Sequence, residues 1–140
     1  MSNLTYTYTV LPDDFSNAGN ASSDLKKKLK LMNISPDIIR RVAIAMYEGE
    51  INMVIHAHGG QITVEISPEA ITITLTDNGP GIPDIEQAFQ EGFSTASDKV
   101  ISMGFGAGMG LPNMKKSCDN IEINSALGIG TTVTMCIQLK

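Results

Sequence analysis

The sequence predicts a two-layer α/β sandwich, with a mixed, mainly antiparallel sheet and helices on one of its faces. Three observations predict it. Five segments of five to nine residues alternate apolar and polar side chains, the period of a half-buried strand. Two longer segments repeat apolar residues at helical spacing, and two pairs of strands are joined by turns too short for a parallel crossover. At 140 residues the chain makes one domain, residues 1–140, with room for a real core but not for two.

The first strand is LTYTYTV, residues 4–10, with Tyr6, Tyr8 and Val10 on one face and threonines on the other. From about Phe15 to Met32 the apolar residues Ala18, Ala21, Leu25, Leu29 and Met32 recur at helical spacing. Lys26, Lys27, Lys28 and Lys30 crowd the end of that helix, where cations suit the macrodipole, and a solvated face is expected of them. Ser35-Pro36-Asp37 supplies a hydroxyl N-cap, a first-turn proline and an early acid. A second helix is therefore expected over 36–58, stopping at Gly59-Gly60. ITVEI (62–66) and ITITLT (71–76), joined by a SPEA turn, read as an antiparallel hairpin. DNGPGIPD follows as a loop, and residues 85–103 are weakly patterned. A short helix is expected over 108–117. IEINS (121–125) and TTVTMCIQL (131–139) are the last two strands, joined at ALGIG.

Composition narrows the function classes. A formal net charge of −5 argues against nucleic-acid binding through a broad basic surface. No apolar run approaches a membrane span and MSNLTYTYTV lacks a signal-peptide pattern, so a cytoplasmic chain is expected. Cys118 and Cys136 have no CxxC pattern and no His at zinc spacing, and are expected to be reduced thiols in or near the core.

Three patterns carry chemistry. The run GFGAGMGLPNM, residues 104–114, suggests backbone packed close to an anion. It lacks the GxxxxGK[ST] of the P-loop, and its glycines miss the third position of the dinucleotide fingerprint GxGxxG. What remains is Gly106-x-Gly108-x-Gly110-Leu111 opening a helix, whose successive N–H groups suit phosphate. Asp77, at the end of a strand and followed by Gly79 and Gly81, can accept a hydrogen bond from an exocyclic amine beside a flat ring. Glu48, Asn52 and His56 recur every four residues on the long helix and so keep to one stripe, drifting by about 40° per step. A carboxamide oxygen can ligate Mg²⁺, and a carboxylate one turn away can take a proton.

Taken in order, Glu48-x₃-Asn52, Asp77-x-Gly79-x-Gly81 and Gly106-x-Gly108-x-Gly110 resemble the N, G1 and G2 boxes of the GHKL ATPase superfamily, whose domain is the Bergerat ATP-binding fold. A final Gly130-Thr131-Thr132-Val133-Thr134 is similar to the superfamily's terminal Gly-Thr element. The resemblance covers nearly the whole chain and is greatest to the small serine/threonine kinases of anti-sigma-factor and partner-switching systems. Histidine kinases need a helical domain carrying the substrate histidine, and both histidines here, His56 and His58, lie on the N-box helix.

The resemblance implies ATP or ADP and Mg²⁺ as cofactors. It implies Asn52 as the metal ligand, Glu48 as the general base, and Asp77 with Thr131 at the adenine amine. Gly79, Gly81 and Ile82 would shape the adenine pocket. Residues 84–103, with Ser94 and Thr95, would form the ATP lid, which carries Lys99 but no arginine. Gly104, Gly106, Ala107, Gly108, Met109, Gly110 and Leu111 would wrap the triphosphate, and His56 would lie beside Asn52. The implied partner is a STAS-domain anti-anti-sigma protein, a sigma factor or another effector; members often form homodimers, though no interface signature is visible. Three readings stay open at this point: a protein serine/threonine kinase, a nucleotide-dependent binding module without transfer activity, and a slow ATPase.

Overall fold

The computed structural model describes residues 4–11, 17–56, 59–77, 110–126 and 128–139. Five strands form one sheet: β1 (Leu4–Val10), β2 (Gly60–Ile66), β3 (Ala70–Asp77), β4 (Asn120–Ala126) and β5 (Gly130–Gln138). Their order is β1-β2-β3-β5-β4. Every pair of neighbours is antiparallel, so the mixed sheet expected from the sequence gives way to a purely antiparallel one among the described residues. The β4–β5 hairpin enters with β5 on the inside against β3, which leaves β4 at the edge. The expected β2–β3 hairpin is closed by Ser67, whose Oγ accepts from Ala70 N at 3.1 Å.

Alternation sets one face of the sheet against the core. Ile62, Val64, Ile66, Ile71, Ile73, Leu75, Met135 and Ile137 are all buried there. The opposite face carries Thr63, Thr72, Thr74, Thr132 and Thr134, β-branched residues suited to a half-covered pleated surface. The described helices are α1 (Asn20–Leu31), α2 (Pro36–His56) and α3 (Gly110–Ser117). Leu25, Leu29, Val42, Ala45, Met46 and Met114 bring them into the same core. No helix among the described residues is long and apolar enough to cross a membrane.

The helix ends follow local chemistry. Ser35 caps α2 as expected, its Oγ accepting from Ile38 N at 3.4 Å. Helix α1 opens at Asn20, where Gly19 turns the chain with φ 96°; the start expected near Phe15 lies outside the described residues. Of the four lysines expected in solvent, Lys26, Lys27 and Lys30 are exposed, but Lys28 is not. Its ammonium pairs with Asp24 and lies 5.0 Å from the Tyr6 ring centroid and 5.7 Å from that of Tyr8. The Tyr8 hydroxyl donates to Asp24 Oδ2 at 2.7 Å, so this cluster fastens α1 to β1. Cys118 and Cys136 are both half-buried and not joined to each other.

Two glycines let α2 and the sheet come close. A Cβ on Gly60 would lie 2.2 Å from Thr76 O, so no side chain fits there. Gly49 sits mid-helix on α2, where a Cβ would lie 2.5 Å from Leu75 Cδ2 on β3. Gly49→Ala improves helix propensity by about 1 kcal/mol. Yet it forces Leu75, only 3% exposed, to repack at a cost of about 1–3 kcal/mol. A net loss of about 1 kcal/mol is expected by urea denaturation; a stabilised variant would show that α2 does not rest on Leu75.

Candidate functional site

The helix α2 carries the first half of the site. Arg41, Ala45, Glu48 and Asn52 are spaced three or four apart and so form one stripe. Helix α3 lies along it, antiparallel to α2. At the C-terminal end of α3, Arg41 Nε donates to Ser117 O at 3.0 Å and Arg41 Nη2 donates to Asp119 Oδ1 at 3.1 Å. Toward its N-terminal end, Asn113 stands beside Glu48. Ala45, fully buried between Arg41 and Glu48 on the stripe, leaves space for the close approach.

Glu48 is half-buried, as is Asn52 one turn on. Burial pushes the Glu48 carboxyl above its ordinary range, and the nearby Asn113 amide partly opposes that rise. A carboxylate in this state holds protons more avidly than a solvated one.

The second half lies at the end of β3. Asp77 stands in register with Thr131 on β5, and its Oδ1 accepts from Thr131 N at 3.2 Å. Thr131 is 7% exposed, and its hydroxyl lies 3.0 Å from Ser125 Oγ. As expected from parity, Thr131 shares the inward face with Val133, Met135, Ile137 and Leu139. The two halves meet at Gly60. A Cβ placed there would lie 2.7 Å from Met53 Cε, next to Asn52 in sequence, and 3.0 Å from Asp77 Cα.

Glu48, Asn52, Asp77 and Thr131 are thus placed on adjoining elements. Gly110 and Leu111 open α3, and His56 closes α2, with only their backbone described. Gly79, Gly81, Ile82, Ser94, Thr95, Gly104, Gly106, Ala107, Gly108 and Met109, with the lid expected over 84–103, lie outside the described residues. Sequence reasoning missed Ser125, although its place on the inward parity of β4, with Ile121 and Ile123, marks it as an inward polar group. It also missed Asn113, for which no periodic signal exists.

Among the described residues no group of three or more His, Cys, Asp or Glu is arranged to hold a metal ion. The donor set at Asn52, a single carboxamide, suits a Mg²⁺ that takes its remaining ligands from phosphate and water. Carboxylate at the sheet end, carboxylate and amide on one helical stripe, and a glycine-opened helix are thus gathered on one α/β sandwich.

The comparisons give that class its family. Residues 38–140 match the family described as histidine kinase-, DNA gyrase B- and HSP90-like ATPases, and the chain belongs to it. The serine/threonine-protein kinase RsbT of Bacillus subtilis is 35% identical over 97 residues, 66% of this chain and 67% of that protein. An anti-sigma F factor of Thermoanaerobacter sp. is 37% identical over 102 residues, 69% of this chain and 68% of its own length. That of Pasteuria penetrans is 35% identical over 100 residues, 66% of this chain and 63% of its length. The chain thus spans about two thirds of the length of these relatives. A crystal structure containing the RsbU and RsbW domains of a Mycobacterium tuberculosis protein covers 98% of this chain and 32% of its own. At a TM-score of 0.60 and 16% identity it supports the fold.

Proposed function

We propose that this protein is a cytoplasmic serine/threonine kinase of the partner-switching type. It transfers the γ-phosphoryl group of ATP to a Ser or Thr of a STAS-domain anti-anti-sigma protein. A sigma factor or other effector is the alternative occupant of the same surface. The observation that carries this reading is Glu48: a half-buried carboxylate of raised proton affinity, one helical turn before an amide fit for Mg²⁺.

Each residue has a task in it. Asn52 would hold the Mg²⁺ through its carboxamide, and Asp77 accepts a hydrogen bond from the adenine amine while Thr131 lines the same wall. The backbone N–H groups of Gly106, Gly108 and Gly110 take the triphosphate, aided by the N-terminus of α3. Bound Mg²⁺ supplies charge neutralisation to the phosphates. Glu48 takes the proton of the partner's hydroxyl as that oxygen bonds to the γ-phosphorus. The bond from γ-phosphorus to the bridging oxygen breaks, and ADP departs. Phosphoryl transfer asks mostly for positioning and charge neutralisation, so this small set suffices.

The test incubates the protein with Mg-ATP and a STAS-domain protein and reads phosphoserine or phosphothreonine on the latter. Label on the partner is expected; tight ATP binding with no label leaves a nucleotide-dependent binding module instead.

The adenine assignment has its own test. Asp77→Asn keeps an oxygen for Thr131 N, so the strand end should persist. It loses the charged acceptor for the amine and can offer an N–H to a guanine carbonyl. The preference for ATP over GTP is expected to fall by about tenfold or more, roughly the worth of one hydrogen bond to a charged group. An unchanged ratio of the two affinities would place adenine elsewhere.

A further inference from the structure

We propose that Ser125 is a positioning residue for the Thr131 hydroxyl, and that through it the site tells adenine from guanine. The inference rests on the reading of Asp77 and Thr131 as the adenine wall. It begins with one row of the sheet. Asp77 pairs with Thr131 across β3 and β5, and Ser125 pairs with Thr131 across β4 and β5. The three therefore stand side by side on adjacent strands. The next row on the same face is Leu75, Val133 and Ile123, and the one after it is Ile73, Met135 and Ile121. All six of those are apolar. The inward face thus turns from apolar to polar on three strands at once, in the row that ends β3. Core packing alone would continue the apolar rows.

The three polar residues are joined. Ser125 Oγ and Thr131 Oγ1 lie 3.0 Å apart, and the Thr131 N–H donates to Asp77 Oδ1 at 3.2 Å. The adjoining pair, Ala126 with Gly130, is the last before the β4–β5 turn, so the two hydroxyls are held together by a closed hairpin. Thr131 is 7% exposed, which makes the direction of its hydroxyl costly to leave open.

That direction decides what Thr131 offers a base. A hydroxyl has one proton to give and two lone pairs. If Thr131 donated to Ser125, it would show a ligand only lone pairs, which suit the N1–H of guanine. If Ser125 donates instead, Thr131 keeps its proton for N1 of adenine, an acceptor. The carboxylate of Asp77 only accepts. It matches the amine on C6 of adenine and repels the carbonyl oxygen that guanine carries there. Both groups read the same base only when Ser125 is the donor.

The experiment measures binding of ATP and of 1-deaza-ATP, in which a C–H replaces the N1 acceptor, by calorimetric titration with Mg²⁺. It needs no turnover. Wild type is expected to prefer ATP by about tenfold, the upper worth of one neutral hydrogen bond. In Ser125→Ala the Thr131 hydroxyl is no longer held, and the preference should fall to about two- to threefold. A merely structural role would weaken both ligands alike and leave their ratio unchanged. Ser125→Thr returns a hydroxyl and should return the preference. Thr131→Val should abolish it whether position 125 holds Ser or Ala, so the two substitutions should not add. An undiminished preference in Ser125→Ala would overturn the proposal, as would additive effects. Purine riboside triphosphate, which lacks only the amine, keeps the two readings apart. If wild type binds it and 1-deaza-ATP as tightly as ATP, the adenine wall itself fails. If wild type rejects both and Ser125→Ala rejects them equally, the wall stands and the role of Ser125 fails.

Discussion

Replacing Glu48 by Gln is expected to cut phosphoryl transfer by about 10²–10⁴-fold, the usual range for loss of a general base, while ATP still binds. The substitution keeps the shape of the side chain and leaves the Arg41 bonds to Ser117 and Asp119 untouched, so α2 and α3 should stay in place. It removes the one thing the reaction needs there, a carboxylate to accept the proton. The same change should leave the fold no weaker at neutral pH. The folded-state pKa of Glu48 is raised, chiefly by burial, so its ionisation opposes folding. Its contribution to stability is complete below the unfolded carboxylate pKa and is lost as pH rises through the folded value. A neutral amide carries no such penalty. Wild-type turnover should follow the opposite course, falling as pH drops through the raised pKa and the base becomes protonated. Equal transfer rates for wild type and Glu48→Gln, with a partner labelled in both, would remove Glu48 from the mechanism.

Much of this site is legible in the sequence because the two signals it uses are local. The interval of four between Glu48 and Asn52 places both on one helical stripe whatever that stripe faces, and α2 forms with the cap that Ser35-Pro36-Asp37 announces. Alternation along TTVTMCIQL puts Thr131 inward for the same reason, and Asp77 follows at the end of a strand whose hairpin turn is plain. What periodicity cannot report is the partner. It says that a face is covered and not by what. The pairing of β3 with β5, which sets Asp77 opposite Thr131, joins residues 54 apart in sequence. The α2 stripe meets α3 across a still longer interval, 76 residues from Arg41 to Ser117, so Arg41 carries no local mark. Lys28 shows the same limit in a smaller way. Its neighbours are solvated lysines, and only the fold of β1 against α1 brings two tyrosine rings beneath it.

The other acid on this turn of α2 illustrates the point most sharply, and its removal should have the largest effect on stability. Glu50→Ala is expected to destabilise the protein by at least about 3 kcal/mol. Glu50 is 3% exposed and faces away from Glu48, since two residues turn a helix through about 200°. Its Oε2 accepts from Gly19 N at 3.0 Å and Ala21 N at 3.2 Å, and its Oε1 accepts from Ser22 N at 3.2 Å. Those are N–H groups at and beside the start of α1, which has no side-chain cap of its own. A carboxylate there meets both the orphan donors and the positive end of the helix dipole. Alanine would strand three donors at roughly 1–3 kcal/mol each if water could not reach them. A domain of this kind holds only about 5–15 kcal/mol in total, so the loss should appear as a large fall in Tm. Glu50→Gln keeps an acceptor oxygen but not the charge, and should fall between the two. Below its melting transition, Glu50→Gln should bind ATP much as the wild type does, because this side chain serves α1 and not the stripe beside α3. Denaturation curves for Glu50→Ala that overlay the wild type would mean α1 finds its cap elsewhere. A Glu50→Gln variant that is stable yet no longer binds nucleotide would place this acid in the site after all. Helix α1 opens on Gly-Asn-Ala-Ser with no first-turn acid of its own. The carboxylate that completes it lies some thirty residues on, one helical face away from Glu48.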